Sequence, residues 1–83
     1  MQKQLFSVRD ITADVYASPF TSTNKMTATR DFAHACRDPQ SQLSKNPEDF
    51  QLFLVGVFDD DLGIITGQAP ELICNATQFQ QGD

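Results

Sequence analysis

Apolar positions along this chain follow two periods. A period of two runs through roughly residues 1–20 and again through 50–66, and a period near 3.6 occupies roughly residues 22–37 between them. From Met1 to Arg9, Phe6 and Val8 fall on one side and Leu5, Ser7 and Arg9 on the other, which predicts a first strand. Asp10-Ile11-Thr12-Ala13 predicts a turn, and Asp14 to Phe20 a return strand carrying Val15 and Tyr16. Pro19 has no amide hydrogen to give a ladder, so it points to an edge or a strand end. From Ser22 or Thr23 to about Arg37 the period becomes helical, and Asp38-Pro39 ends it. Met26, Thr29, Phe32, Ala33 and Cys36 gather on one side of that helix, with Thr23, Thr27, Arg30, His34 and Arg37 near the other. Residues 38–46 read as a polar loop.

The second half is organised around residues 46–67. Asn46-Pro47-Glu48-Asp49 predicts a capped helical turn, with Pro47 pre-set for the first position and two acids at the positive end. Phe50 to Phe58 is too short for a helix and rich in Phe, Val and Leu, so it predicts a strand. Alternation puts Phe50, Leu52, Leu54 and Phe58 on one face, with Gly56 among them, and Phe53, Val55 and Val57 on the other. Asp59, Asp60, Asp61 and Gly63 then turn the chain, and Leu62 to Thr66 returns. Gln68-Ala69-Pro70 reads as a second loop. Glu71 to Ala76 reads as either a short third-layer strand or an extended cover, and Thr77 to Asp83 as a frayed tail. The expected architecture is α+β: an antiparallel sheet of four or five short strands with one helix packed on a face, all in a single domain over residues 1–83. One helix covers one face. A dimer meeting through Phe53, Val55 and Val57 covers the second with the fewest assumptions, and a small closed barrel is the rival.

Charge and composition narrow the functional classes. The net charge of −5 hides a split. Lys3, Arg9, Lys25, Arg30, Arg37 and Lys45 against Asp10, Asp14, Asp31 and Asp38 leave residues 1–45 at +2. Residues 46–83 carry seven acids and no Lys or Arg, a net of −7. Bulk electrostatics therefore oppose general polyanion binding, and any nucleic-acid contact must be local and come from the first half. Arg30, His34 and Arg37 at i, i+4 and i+7 form the one basic strip, for which a solvated helix face is the plainer account.

No apolar stretch approaches the roughly 20 residues that span a membrane, and no secretory signal is evident, so a soluble intracellular protein is expected. Cys36 and Cys74 make no disulfide framework; buried or idle thiols are favoured over a bridge between them. His34, the single histidine, has no nucleophile or ligand partner at a useful spacing. The aspartate triplet could suggest a hard-cation loop, but the twelfth position counted from Asp59 is Pro70 rather than a bidentate Glu, which favours a solvated acidic turn. No phosphate loop, Cys-x-x-Cys pair or serine elbow occurs, and no metal, cofactor or catalytic residue is expected.

An ordered series of residues adds a resemblance. Phe6-Ser7-Val8-Arg9-Asp10, Tyr16 with Pro19-Phe20, Arg30-Asp31-Phe32, and Asn46-Pro47-Glu48-Asp49-Phe50 followed by Leu52, Gly56, Phe58-Asp59-Asp60 and Gly63 closely resemble the small nonstructural protein of gokushovirus-type microviruses, bacteriophages with circular single-stranded DNA genomes. Pro70-Glu71 and Ile73 fit that family's tail, and Val57 departs from it, where a polar or basic residue is expected. The family is likened to protein C of the isometric coliphages. The resemblance implies a non-enzymatic accessory role in the host cytoplasm, in viral DNA replication and packaging, engaging the replication initiator, the procapsid or DNA. Two hypotheses follow. A single-stranded DNA-binding module would use Arg9, Tyr16, Arg30 and Arg37; a protein–protein adaptor would dock through Asp59, Asp60 and Asp61.

Overall fold

The β-branched and aromatic runs do form strands, and they assemble into one antiparallel sheet. The computed structural model describes residues 1–79. β1 (Gln2–Asp10), β2 (Val15–Tyr16), β3 (Phe20–Ser22), β4 (Phe50–Asp59) and β5 (Ile64–Asn75) are arranged with β1 and β4 paired at the centre and β5 on one edge. The two short strands share the other edge: β3 pairs with the first half of β1 and β2 with its end. Ala17 to Pro19 separates them, so Pro19 interrupts the expected single return strand where no ladder donor is needed. The expectation of four or five strands with a helix therefore holds, although three of the strands are long rather than short.

A helix, α1 (Lys25–Arg37), packs on one face of this sheet. Its N-cap is Asn24, whose Oδ1 accepts from the Thr27 amide at 2.8 Å, one or two residues later than the polar run at Ser22–Thr23 suggested. His34 and Arg37 occupy the last turn, where the Arg37 cation complements the unpaired carbonyls. Ala28, Phe32, Ala33 and Cys36 are buried, whereas Met26, assigned to the core side by periodicity, is 81% exposed. Small Ala28 meets the sheet instead. The core joins α1 to Phe6, Leu52, Leu54 and Cys74, with Phe6 and Leu52 at 0% exposure. Burying side chains of that size stabilises by about 1.5–3 kcal/mol each. Cys36 and Cys74 are both free thiols within it.

Several loop assignments change. Residues 42–45 form a one-turn helix, α2 (Gln42–Lys45), capped by Ser41. Pro47–Asp49 makes the expected helical turn, but Asn46 does not cap it; its Nδ2 donates to Gln42 Oε1 at 3.3 Å instead. Gln68-Ala69-Pro70 is not a loop leaving the sheet. It lies within β5, which continues through Glu71 to Asn75 in the same layer rather than forming a third one. Residues 77–79, expected in the tail, belong to a 3₁₀ turn, Ala76–Phe79, that seats Phe79 edge-on to Phe32 with centroids 6.3 Å apart. The remainder of that tail lies outside the described residues.

The decisive departure from simple alternation is at Val55. Phe6 pairs with Leu54 and Leu5 with Gly56, so Val55 is an extra residue on β4. Opposite it, three residues of β5 (68–70) fill the gap between the Leu54–Glu71 and Gly56–Gly67 pairs. The bulge reverses the faces beyond it. Val57, opposite Gln4, joins the side of Leu52 and Leu54; Phe58, opposite Lys3, joins the side of Phe53. The hairpin then projects past the helix, giving an elongated molecule of 46 × 24 × 19 Å.

Candidate functional site

The face of the sheet turned away from α1 brings together side chains with binding chemistry. It starts in the β1–β2 turn. The Asp10 carboxylate accepts from the Ala13 amide at 3.1 Å, and the Asp14 amide donates to the Ile11 carbonyl at 3.2 Å. Asp14 takes φ = 57°, the left-handed conformation that Asp adopts more readily than most residues. The chain thus returns with Tyr16 directly opposite Arg9. The Arg9 guanidinium carbon stands 5.7 Å from the Tyr16 ring centroid, within cation–π range. Tyr16 in turn meets Phe53 edge-on, with centroids 5.4 Å apart and planes at 73°.

Backbone register explains the convergence: Arg9 faces Gln51 and Ser7 faces Phe53, so these side chains share one side of the sheet. Leu72, opposite Phe53 on β5, extends the apolar surface and is exposed. Phe53 is half-buried and Tyr16 is 41% exposed. Part of this second face is closed from within the chain, since the Ser7 hydroxyl donates to the Ala17 carbonyl at 2.7 Å and Tyr16 leans on Phe53. The arrangement offers a cation, two aromatic rings and an open edge. Such a surface can stack a planar group and hold an anion beside it.

Arg9 is not free. Its Nη2 donates to Asp14 Oδ1 at 2.8 Å, while its Nε is buried without a hydrogen-bond partner. The sequence marks Asp14 only as the start of a strand, and nothing in its neighbours signals that it reaches back five residues to Arg9.

Arg30 and Arg37 lie elsewhere. Both are exposed on α1, on the opposite side of the sheet from Arg9. Arg37 sits 5.9 Å over the Phe79 ring, a partner that the tail assignment concealed. His34 is exposed beside them, without a hydrogen bond among the described residues. The four residues proposed for nucleic-acid contact therefore divide into two surfaces: Arg9 with Tyr16, and Arg30 with Arg37. Phe53, Val55 and Val57 do not form a common face either. Phe53 belongs to the Tyr16 cluster, Val55 is the bulge, and Val57 faces the helix side; all three are half-buried.

The aspartate triplet is a hairpin tip. Asp59 Oδ1 accepts from the Asp61 and Leu62 amides at 3.0 and 3.2 Å, and Gly63 closes the turn at φ = +71°. The Met1 α-ammonium donates to Asp60 Oδ1 at 2.8 Å and also contacts Asp61, and Lys3 Nζ lies 3.8 Å from Asp60. The ammonium hydrogen bond holds the Asp60 carboxyl below the usual carboxylate range. Carboxylate oxygens of the three aspartates lie within 4.8 Å of one another, and cations of the chain itself meet two of them. In the core, burial pushes the Cys36 thiol up to about 11 and raises that of Cys74.

A family model described as "Phage ORF5 protein" matches residues 3–79, nearly the whole chain. No curated protein and no solved structure matches it. No helix among the described residues is long and apolar enough to cross a membrane.

Proposed function

The chain belongs to the Phage ORF5 protein family, and from that premise we propose a non-enzymatic phage accessory protein that acts in single-stranded DNA genome synthesis and packaging by contacting DNA in the host cytoplasm. The observation that carries this reading is the Arg9–Tyr16–Phe53 cluster, with its cation at 5.7 Å from one ring and its two rings at 5.4 Å. Single strands present unstacked bases next to phosphates, and this is the chemistry that an aromatic–cation pair on an open sheet face accepts. Duplex DNA hides its bases and would meet a protein of net charge −5 mainly through repulsion.

The test is anisotropy of a labelled oligothymidylate titrated at low and moderate salt. Binding is expected at low salt and weakens as salt rises. Tyr16→Ala removes stacking worth about 1–3 kcal/mol, so its affinity falls several-fold or more. Absence of binding at low salt would sink the reading.

A second reading, a protein–protein adaptor for the replication initiator or the procapsid, draws on the hairpin tip. There Leu62 and Ile65 are 69% and 66% exposed beside Asp61, a mixed apolar and acidic surface suited to a protein partner. Self-association also belongs to this reading, through the uncovered β5 edge rather than through one shared face of Phe53, Val55 and Val57. Light scattering at micromolar concentration decides between dimer and monomer.

A further inference from the structure

We propose that Asp14 is a built-in competitor for the anion-binding edge of Arg9, and that a ligand phosphate binds by exchanging with its carboxylate. The inference rests on the reading of the Arg9–Tyr16 face as a single-stranded DNA surface and adds a determinant of its affinity.

Three observations support it. First, the charge of Asp14 is not needed for the turn. Asp10 Oδ1 and the Ile11 carbonyl close it, and the φ of 57° at position 14 suits Asn or Gly as well as Asp. Second, the only hydrogen bond of the Asp14 carboxylate among the described residues is to Arg9 Nη2, and its side chain is otherwise 82% exposed. Third, Asp14 engages a single donor, Nη2, at the end of the Arg9 side chain, and because Nε is buried without a partner a ligand anion must compete for that same end. A one-armed, solvent-exposed ion pair holds weakly. A phosphate offers more charge and more oxygens to the same edge, while the Tyr16 ring below keeps the guanidinium in place. Pairing with Asp14 also balances the Arg9 charge until a ligand arrives.

The experiment is a double-mutant cycle read by anisotropy of the labelled oligothymidylate at low salt. Asp14→Asn keeps the left-handed turn and removes the competitor, so affinity rises by about one-and-a-half- to fivefold, the size of an exposed ion pair. Asp31→Asn, an equal change of net charge on the exposed side of α1, gives a smaller rise. In an Arg9→Gln background the effect of Asp14→Asn falls to that of Asp31→Asn. Equal effects of Asp14→Asn with and without Arg9, or a rise no larger than that of Asp31→Asn, would overturn the competitor while leaving the DNA reading intact. If neither the wild type nor Asp14→Asn binds, both fall.

Discussion

Gly56 lies directly against the backbone of Thr66: a β-carbon at Gly56 would stand 2.5 Å from the Thr66 carbonyl oxygen. The contact lies beside the bulge, at the Gly56–Gly67 pair where the faces reverse. Gly56→Ala must push the two strands apart. The expected loss is about 1–3 kcal/mol, the range for overpacking a close-packed site, and it should lie at the upper end because backbone cannot swing away. Gly67→Ala, one strand over, meets nothing within 4 Å and is expected to change stability by less than about 0.5 kcal/mol. Urea midpoints of the two variants check the contrast; equal losses would refute it.

Leu52 is the hinge of the core, fully buried between Val8 on β1 and Cys74 on β5 and in one cluster with Phe32. Leu52→Ala leaves a cavity that the neighbouring strands cannot close, at a cost of about 2–5 kcal/mol. A domain of this size has a total stability of only about 4–12 kcal/mol. Chemical denaturation monitored by Tyr16 fluorescence should show a large drop in midpoint. A loss below about 1 kcal/mol would mean that the core is not packed as described.

The buried thiols tie stability to alkaline pH. Below pH 9.0, the ordinary value, thiols are protonated in both the folded and unfolded chain. Between 9.0 and about 11 the unfolded chain loses the Cys36 proton and the folded chain keeps it. The folded state then binds more protons, so stability falls as pH rises through that window. About two units correspond to roughly 2–3 kcal/mol. Denaturation of wild type and Cys36→Ala from pH 8 to 11 checks the effect: the variant, left with Cys74 alone, should lose less stability across that window. Parallel pH profiles would count against it.

The division of the basic residues has its own consequence. Arg9 and Arg37 lie on opposite sides of the sheet, so one short oligonucleotide cannot reach both. On a short oligothymidylate, Arg9→Gln is expected to weaken binding several-fold and Arg30→Gln with Arg37→Gln to change it less than twofold. A longer strand that wraps the molecule should become sensitive to all three. Equal sensitivity on the short strand would place the contact surface on the helix instead.

Local chemistry read from the sequence located most elements. Period-two runs marked β1 and β4, Asp38-Pro39 ended α1, Pro47 opened its helical turn, and Gly63 took the positive φ that a tight hairpin requires. These depend on neighbours a few residues apart, so the linear order carries them. The sequence groups Arg9, Tyr16, Arg30 and Arg37 as one candidate surface; the fold brings Arg9 to Tyr16 and places Arg30 and Arg37 across the sheet. Alternation assigns Phe53 to an interface between molecules, yet inside one molecule it is the third member of the Arg9–Tyr16 cluster.

Tertiary structure alone decided what sits on which side. A single extra residue at Val55 sends Val57 and Phe58 to the faces opposite those that alternation predicts, and no local propensity marks it, because a bulge is a property of two paired strands. The same holds for Asp14 on Arg9 and for Phe79 under Arg37, contacts that arise only once the turn and the chain end have been placed. Sequence determined the pieces because their causes are local. The fold decided the site because register and curvature determine which side chains share a surface.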